Sequence, residues 1–193
     1  PSLSQPLPPT LARSWAQQPY VNTGLTVVEI GAVAGCGMLS DGAVVAFHRA
    51  GATLDWRDPT QNKPISWDDP IVLLSGEGEV LSSFGSDVGF VIPHGVFVDH
   101  TDCIWVTDCG LHQVFKFVRP LTRPRHHQPR CFHPESGVGW GQDREGSLLL
   151  TLGAEGGPDP DKREQKDSDN ADTSRFNKPA DVSVDPVSGT VFV

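Results

Sequence analysis

Two segments of this chain share one pattern. In IPHGVFVDHTDCIWVTD (92–108) and KPADVSVDPVSGTVFV (178–193), proline is followed by small or polar residues, an apolar-x-apolar-Asp run, a turn and a second apolar run. Pro93 aligns with Pro179 and Asp99 with Asp185, a separation of 86 residues. The segment GCGMLSDGAVVAFHR (35–49) is a weaker copy. Alternating Val, Ile, Phe and Trp suit a pleated, half-buried backbone, so each unit reads as strand, turn, strand. A unit of this kind cannot bury its apolar face alone and must stack on its neighbours.

The remaining sequence fits short strands better than long helices. The 20 Gly and 17 Pro punctuate the chain with turns, and 37% hydrophobic residues suffice for one ordinary core. Leu25 to Ile30 reads as a first strand, and the turn Ser40-Asp41-Gly42 joins two more. Ile71 to Leu74 leads through Gly76-Glu77-Gly78-Glu79 into VLSSFG, and residues 88–118 hold three closely spaced strands, a meander. SLLLTLG (147–153) is a further apolar run. The fold expected is all-β: blades of a β-propeller, present as an incomplete fragment of about two to three blades. Residues 1–24 form a flexible lead-in and residues 25–193 the partial propeller, with a low-complexity insertion at about 119–174. Residues 50–70, with Trp56 and Trp67, read as a long loop.

Charge narrows the function classes. Fifteen basic against 24 acidic residues give a net charge of −9, which opposes nucleic-acid binding. The basic cluster Arg119, Arg123, Arg125 and Arg130, with His126, His127 and His133 among prolines, suits an anion contact or, by preference, a solvated insertion; no aromatic accompanies the arginines before Phe132, which also opposes nucleic-acid binding. No apolar run is long enough to span a membrane, and the opening PSLSQPLPPT lacks the blocks of a signal peptide. Four cysteines, Cys36, Cys103, Cys109 and Cys131, permit up to two disulfides in three pairings, or buried thiols instead. Cys103 and Cys109 flank one extended run, about 20 Å apart at strand rise, and cannot bond to each other unless the chain turns back.

Few residues carry chemistry on their own. Arg49 reads as a strand-end arginine or as a guanidinium facing a carboxylate; His48 points the other way by alternation. His94, before Gly95, reads as structural or as a metal ligand. Asp99, Asp108 and Asp185 sit at strand ends, where carboxylates accept turn amides, and are turn devices before general acids.

The strings FHRAG (47–51), IPHGVFVD (92–99), WVTDCGLHQVFKF (105–117) and RFNKPADVSVDPVSGTVFV (175–193) together resemble the peptidyl-α-hydroxyglycine α-amidating lyases, six-bladed propellers of the NHL-repeat kind. The resemblance covers roughly residues 31–118 and 175–193. It implies a zinc ion held in the central channel by three histidines, each preceded by Pro, of which His94 is one; the other two are expected beyond Val193. It implies that Arg49 contributes to the active site and contacts substrate. It also implies a structural calcium ion held partly by the carbonyls of Cys36 and Val96, completed by an aspartate beyond Val193, and a catalytic tyrosine there as well. Tyr20, the one tyrosine present, does not replace it. Asn177 stands where the family carries a cysteine before Gln-Pro, so that disulfide is lost. His112 belongs to the matched string as a packing or hydrogen-bonding residue.

The implied activity is cleavage of a peptide ending in α-hydroxyglycine to the peptide amide and glyoxylate, with little or no turnover by this stretch alone. The implied partners are such peptides and a copper monooxygenase, fused or separate, in the secretory pathway or outside the cell. The alternative is a non-catalytic NHL-type propeller that mediates protein contact.

Overall fold

The computed structural model describes residues 20–22, 27–49, 54, 64, 69–120, 146–154 and 175–193. The expectations for residues 1–19, for Trp56 and Trp67, for the basic and histidine-rich loop beyond Pro120, for Cys131 and for residues 155–174 lie outside the described residues.

A short antiparallel pair opens the chain, β1 (Tyr20–Asn22) against β2 (Val27–Glu29), so strand pairing starts inside the expected lead-in. Next comes an antiparallel meander of β3 (Val33–Met38), β4 (Val44–His48), β5 (Ile71–Leu74) and β6 (Val80–Phe84). A 3₁₀ turn at Ser86–Val88 leads to a second meander, β7 (Pro93–Val98), β8 (Ile104–Asp108), β9 (Gln113–Phe117) and β10 (Leu148–Leu152). The three strands expected at 88–118 thus gain a fourth, recruited across a long insertion to pair with β9. A last pair, β11 (Ser183–Val184) and β12 (Val191–Phe192), closes the described chain. Each sheet is open, and the whole is consistent with a propeller-type domain.

The turns explain the repeat. Leu39 N–H donates to Ala43 O and Gly42 N–H to Leu39 O; Asp99 N–H donates to Cys103 O and Asp102 N–H to Asp99 O. Gly42 (φ 88°) and Asp102 (φ 61°) occupy the left-handed position of these turns, a place that favours Gly and tolerates Asp. In register, Cys36 lies opposite Ala46 and Val96 opposite Val106, so the two meanders superpose residue for residue from β3–β4 to β7–β8.

Packing is head to tail. One face of the first meander (Val45, Phe47, Ile71, Leu73, Phe84) buries against the near face of the second (Ile104, Val106, Phe115, Phe117). Phe90 joins them, edge to face with Phe47 at 4.9 Å and with Phe115 at 5.2 Å between ring centroids. The far face of the second meander (Trp105 and Val114, with Phe97, Leu150 and Leu152) packs on Val182, Val184 and Val191 of the third unit. β3 and β7 lie side by side, so that a Cβ on Gly35 would sit 2.9 Å from the His94 carbonyl; β7 also meets the segment before β11, where a Cβ on Gly95 would sit 2.6 Å from the Ala180 carbonyl.

Arg119 corrects the expectation of a solvated basic loop. It is 4% exposed and bridges the two equivalent turns, donating through Nη1 to Asp102 at 3.0 Å and through Nη2 to Asp41. Ser40 adds bonds to Asp102 from its amide at 2.9 Å and its hydroxyl at 2.6 Å. The cysteines also differ from the largest pairing the count permits: Cys36 is an exposed free thiol, Cys109 a buried one, and Cys103 is disulfide-bonded. Among the described residues, no helix is long and apolar enough to cross a membrane.

Candidate functional site

The starts of the first strands and the ends of the second strands gather at one end of the sheets, opposite the Arg119 bridge. β8 builds the centre of this end. Asp108, buried at its C-terminus, accepts the amides of Val91 (2.8 Å), Ile92 (3.0 Å), Gly110 (2.7 Å) and Leu111 (2.8 Å). Burial pushes its carboxyl above the ordinary range even though those four amides pull the other way. Thr107 Oγ1 accepts the Gly95 amide at 2.8 Å. The stretch that carries His94 is therefore held by β8 just before Pro93 and just after His94. Asp108 serves the backbone, as expected of a turn device. Asp99 does likewise for the Thr101 and Cys103 amides. Burial alone would raise the Asp99 carboxyl, but the Thr101 and Trp105 hydrogen bonds and the Lys116 charge together hold it below the usual value.

Arg49 follows β4 and reaches the second meander. Its Nε–H donates to the Pro93 carbonyl at 3.2 Å. His94, half-buried, turns to the third unit, with Nδ1 2.7 Å from the Ala180 carbonyl. A carbonyl only accepts, so Nδ1 carries the proton, and in the neutral form of the ring the lone pair lies on Nε2. His48 is buried, and its Nδ1 takes the Gly31 amide at 3.3 Å, a packing position.

The sequence leaves Cys109 as a disulfide or a buried thiol and reads His112 as a packing or hydrogen-bonding residue; what it missed is that both fasten onto the 178–180 segment that His94 also contacts. The buried Cys109 thiol donates to the Pro179 carbonyl at 3.2 Å. Burial and the Asp108 carboxylate push it up to about 11, against the opposing charges of Arg49 and Lys178. His112 (φ 60°) accepts the Lys178 amide at Nδ1, 3.1 Å away. The signal was present: the 86-residue offset that aligns Pro93 with Pro179 also aligns His94 with Ala180, the residue whose carbonyl it binds.

Cys36 and Val96 occupy equivalent positions on β3 and β7, strands whose backbones meet at Gly35. Among the described residues, no three His, Cys, Asp or Glu side chains come together to hold a metal ion. His94 contributes a single imidazole to this end, with the carbonyl partner at Nδ1 that metal-ligating histidines commonly have.

The peptidyl-glycine alpha-amidating monooxygenase of Mus musculus is 32% identical over 171 residues, covering 84% of this chain and 14% of that protein. The probable peptidyl-alpha-hydroxyglycine alpha-amidating lyase of Caenorhabditis elegans is 36% identical over 94 residues, 46% of this chain and 27% of its own length. Peptidyl-alpha-hydroxyglycine alpha-amidating lyase 1 of Drosophila melanogaster is 38% identical over 98 residues, 47% of this chain and 18% of its own. No family model matches the chain. The chain is thus homologous, at moderate identity and over part of its length, to peptide-amidating enzymes, and it spans between 14% and 27% of the length of these three.

Proposed function

We propose that the chain is part of a peptidyl-α-hydroxyglycine α-amidating lyase of propeller fold, in which Arg49 holds the substrate carboxylate and His94 is one zinc ligand. The observation that carries this reading is the Arg49–Pro93 hydrogen bond, which brings a guanidinium to the peptide bearing His94. The lyases among the relatives support it, as do the first strands of the two meanders, β3 and β7, side by side, the way blades present their inner strands to a common axis.

In the reaction, the substrate hydroxyl loses its proton, its oxygen forms the aldehyde carbonyl as the C–N bond of the carbinolamide breaks, and the departing amide nitrogen gains a proton, giving the peptide amide and glyoxylate without net redox change. A guanidinium pairs with the planar carboxylate through two parallel N–H bonds and sets the orientation of the adjoining carbon. Fixing the Arg49 Nε–H on Pro93 limits the swing of that group before substrate arrives. His94, with Nδ1–H on Ala180, directs Nε2 as the ligand atom. When bound, zinc would lower the pKa of the substrate hydroxyl. The Cys36 and Val96 carbonyls are the proposed calcium ligands. A copper monooxygenase that supplies the hydroxyglycine peptide, and a secretory or extracellular setting, complete the proposal.

The test is an NMR titration of the labelled chain with α-hydroxyhippurate, with and without zinc. The expected result is shifts confined to Arg49, Pro93, His94 and their neighbours; shifts elsewhere, or none, overturn the reading. Pro93-His94 is the one Pro-His pair in the sequence, so glyoxylate release by these 193 residues alone is expected below detection. Robust turnover would show that three such histidines are not required.

A further inference from the structure

The segment Lys178–Ala180 is fastened to the second meander at three consecutive residues. The Lys178 amide donates to His112 Nδ1, the Cys109 thiol to the Pro179 carbonyl, and His94 Nδ1–H to the Ala180 carbonyl. From this geometry we infer that His112 and Cys109 are positioning residues, which fix the tautomer and ring orientation of His94 through the 178–180 segment. The inference rests on the proposal that His94 presents Nε2 to a metal.

Each link has a physical reason. The Ala180 carbonyl selects the Nδ1–H form of His94 only while it stays in place, and the fastenings on the two preceding residues hold it. Pro179 has no N–H, so on the two residues before Ala180 the Lys178 amide is the one backbone donor, and it is taken by His112. Lys178 (φ 54°) and His112 (φ 60°) both lie in the left-handed region, which non-glycine residues disfavour. The hydrogen bond to His112 Nδ1 gives the Lys178 amide a partner in this conformation. The Cys109–Pro179 link needs a protonated sulfur, and a thiol whose pKa is pushed up to about 11 remains a donor at neutral pH. Arranged this way, His94 has the backbone-carbonyl partner that metal-ligating histidines commonly use, and that partner is itself supported from behind.

Nitrogen-15 NMR of the His94 ring, in the absence of metal, tests this without reference to activity. In the wild type Nδ1 is expected protonated and Nε2 not. His112→Ala and Cys109→Ala are expected to lose that preference, with the two nitrogens moving toward averaged positions. His112→Asn, whose Oδ1 replaces Nδ1 as acceptor, and Cys109→Ser, which keeps a donor, are expected to retain it. Retention in both folded alanine variants overturns the positioning role. If the alanine variants lose amide dispersion, the conservative pair decides: retention in both upholds the role, and loss in both overturns it. An Nε2–H tautomer in the wild type would instead refute the metal-ligand reading of His94, a separate result.

Discussion

The Nε–H of Arg49 donates to the carbonyl of Pro93 at 3.2 Å, tying a guanidinium from the first meander to the peptide that carries His94 in the second. The contact requires the two sheets to approach closely, and glycine permits that approach. A Cβ on Gly35 would lie 2.9 Å from the His94 carbonyl and 3.1 Å from the Val96 amide nitrogen, both backbone atoms that cannot swing aside. Gly35→Ala is therefore expected to push β3 from β7 and lower stability by about 1–3 kcal/mol, as overpacking does. Urea unfolding followed by tryptophan fluorescence measures it; an unchanged midpoint would contradict the close approach.

The Arg119 bridge is a buried ion pair, with side-chain exposures of 5% for Arg119 and 4% for Asp102. Arg119→Met leaves Asp102 buried beside Ser40 without its cation, which is expected to cost about 3–5 kcal/mol. The Asp41 arm, 42% exposed at the side chain, should contribute less, so Asp41→Asn is expected to cost about 1 kcal/mol or below. Burial would raise the Asp41 carboxyl, yet the Arg119 bond and the Ala43 amide hold it below its usual value. Equal losses from the two variants would contradict this division.

Acid should loosen the 178–180 segment. Burial first, then the Lys178 charge, lower the His112 pKa below the ordinary 6.5, so the fold favours the neutral ring and the unfolded chain binds the proton more readily. The stabilisation is complete above pH 6.5 and is lost as pH falls through the lower folded value. Protonation also removes the Nδ1 acceptor from the Lys178 amide. Hydrogen exchange at Lys178, corrected for intrinsic rates, is expected to quicken on acidification in the wild type and to show no such step in His112→Asn.

The two free thiols should differ sharply in reactivity. Cys36 is exposed, whereas Cys109 is buried, hydrogen-bonded to Pro179 and raised to about 11. Mass spectrometry after brief alkylation at neutral pH is expected to find Cys36 modified and Cys109 intact. Equal labelling would show that Cys109 is open to solvent.

The strands were legible because Val, Ile, Phe and Trp alternate between turn residues. β4, β5, β7, β8 and β9 fall on the apolar runs the sequence shows. Pairing across the insertion, β10 on β9, was not legible, since local pattern carries no information about a partner some thirty residues away. Arg119 was misread for a similar reason. Its neighbours in sequence are prolines and arginines, while the carboxylates that bury it, Asp41 and Asp102, come from turns of two different sheets. Asp108 was readable because turn chemistry is local. The links from His112 and Cys109 to Lys178 and Pro179 join segments far apart in sequence, and neither residue type announces such a partner. His94 and Arg49 came from resemblance and not from pattern; the structure adds their hydrogen-bond partners.

Carboxylate recognition by Arg49 beside His94 is the centre of the proposed function, and calorimetric titration against a matched pair of ligands tests it most directly. The chain should bind α-hydroxyhippurate about tenfold or more tightly than the corresponding neutral amide, the scale of one charge-assisted hydrogen bond, and Arg49→Gln should abolish the difference. Equal affinity for acid and amide in the wild type, or a preference that survives Arg49→Gln, would contradict the account.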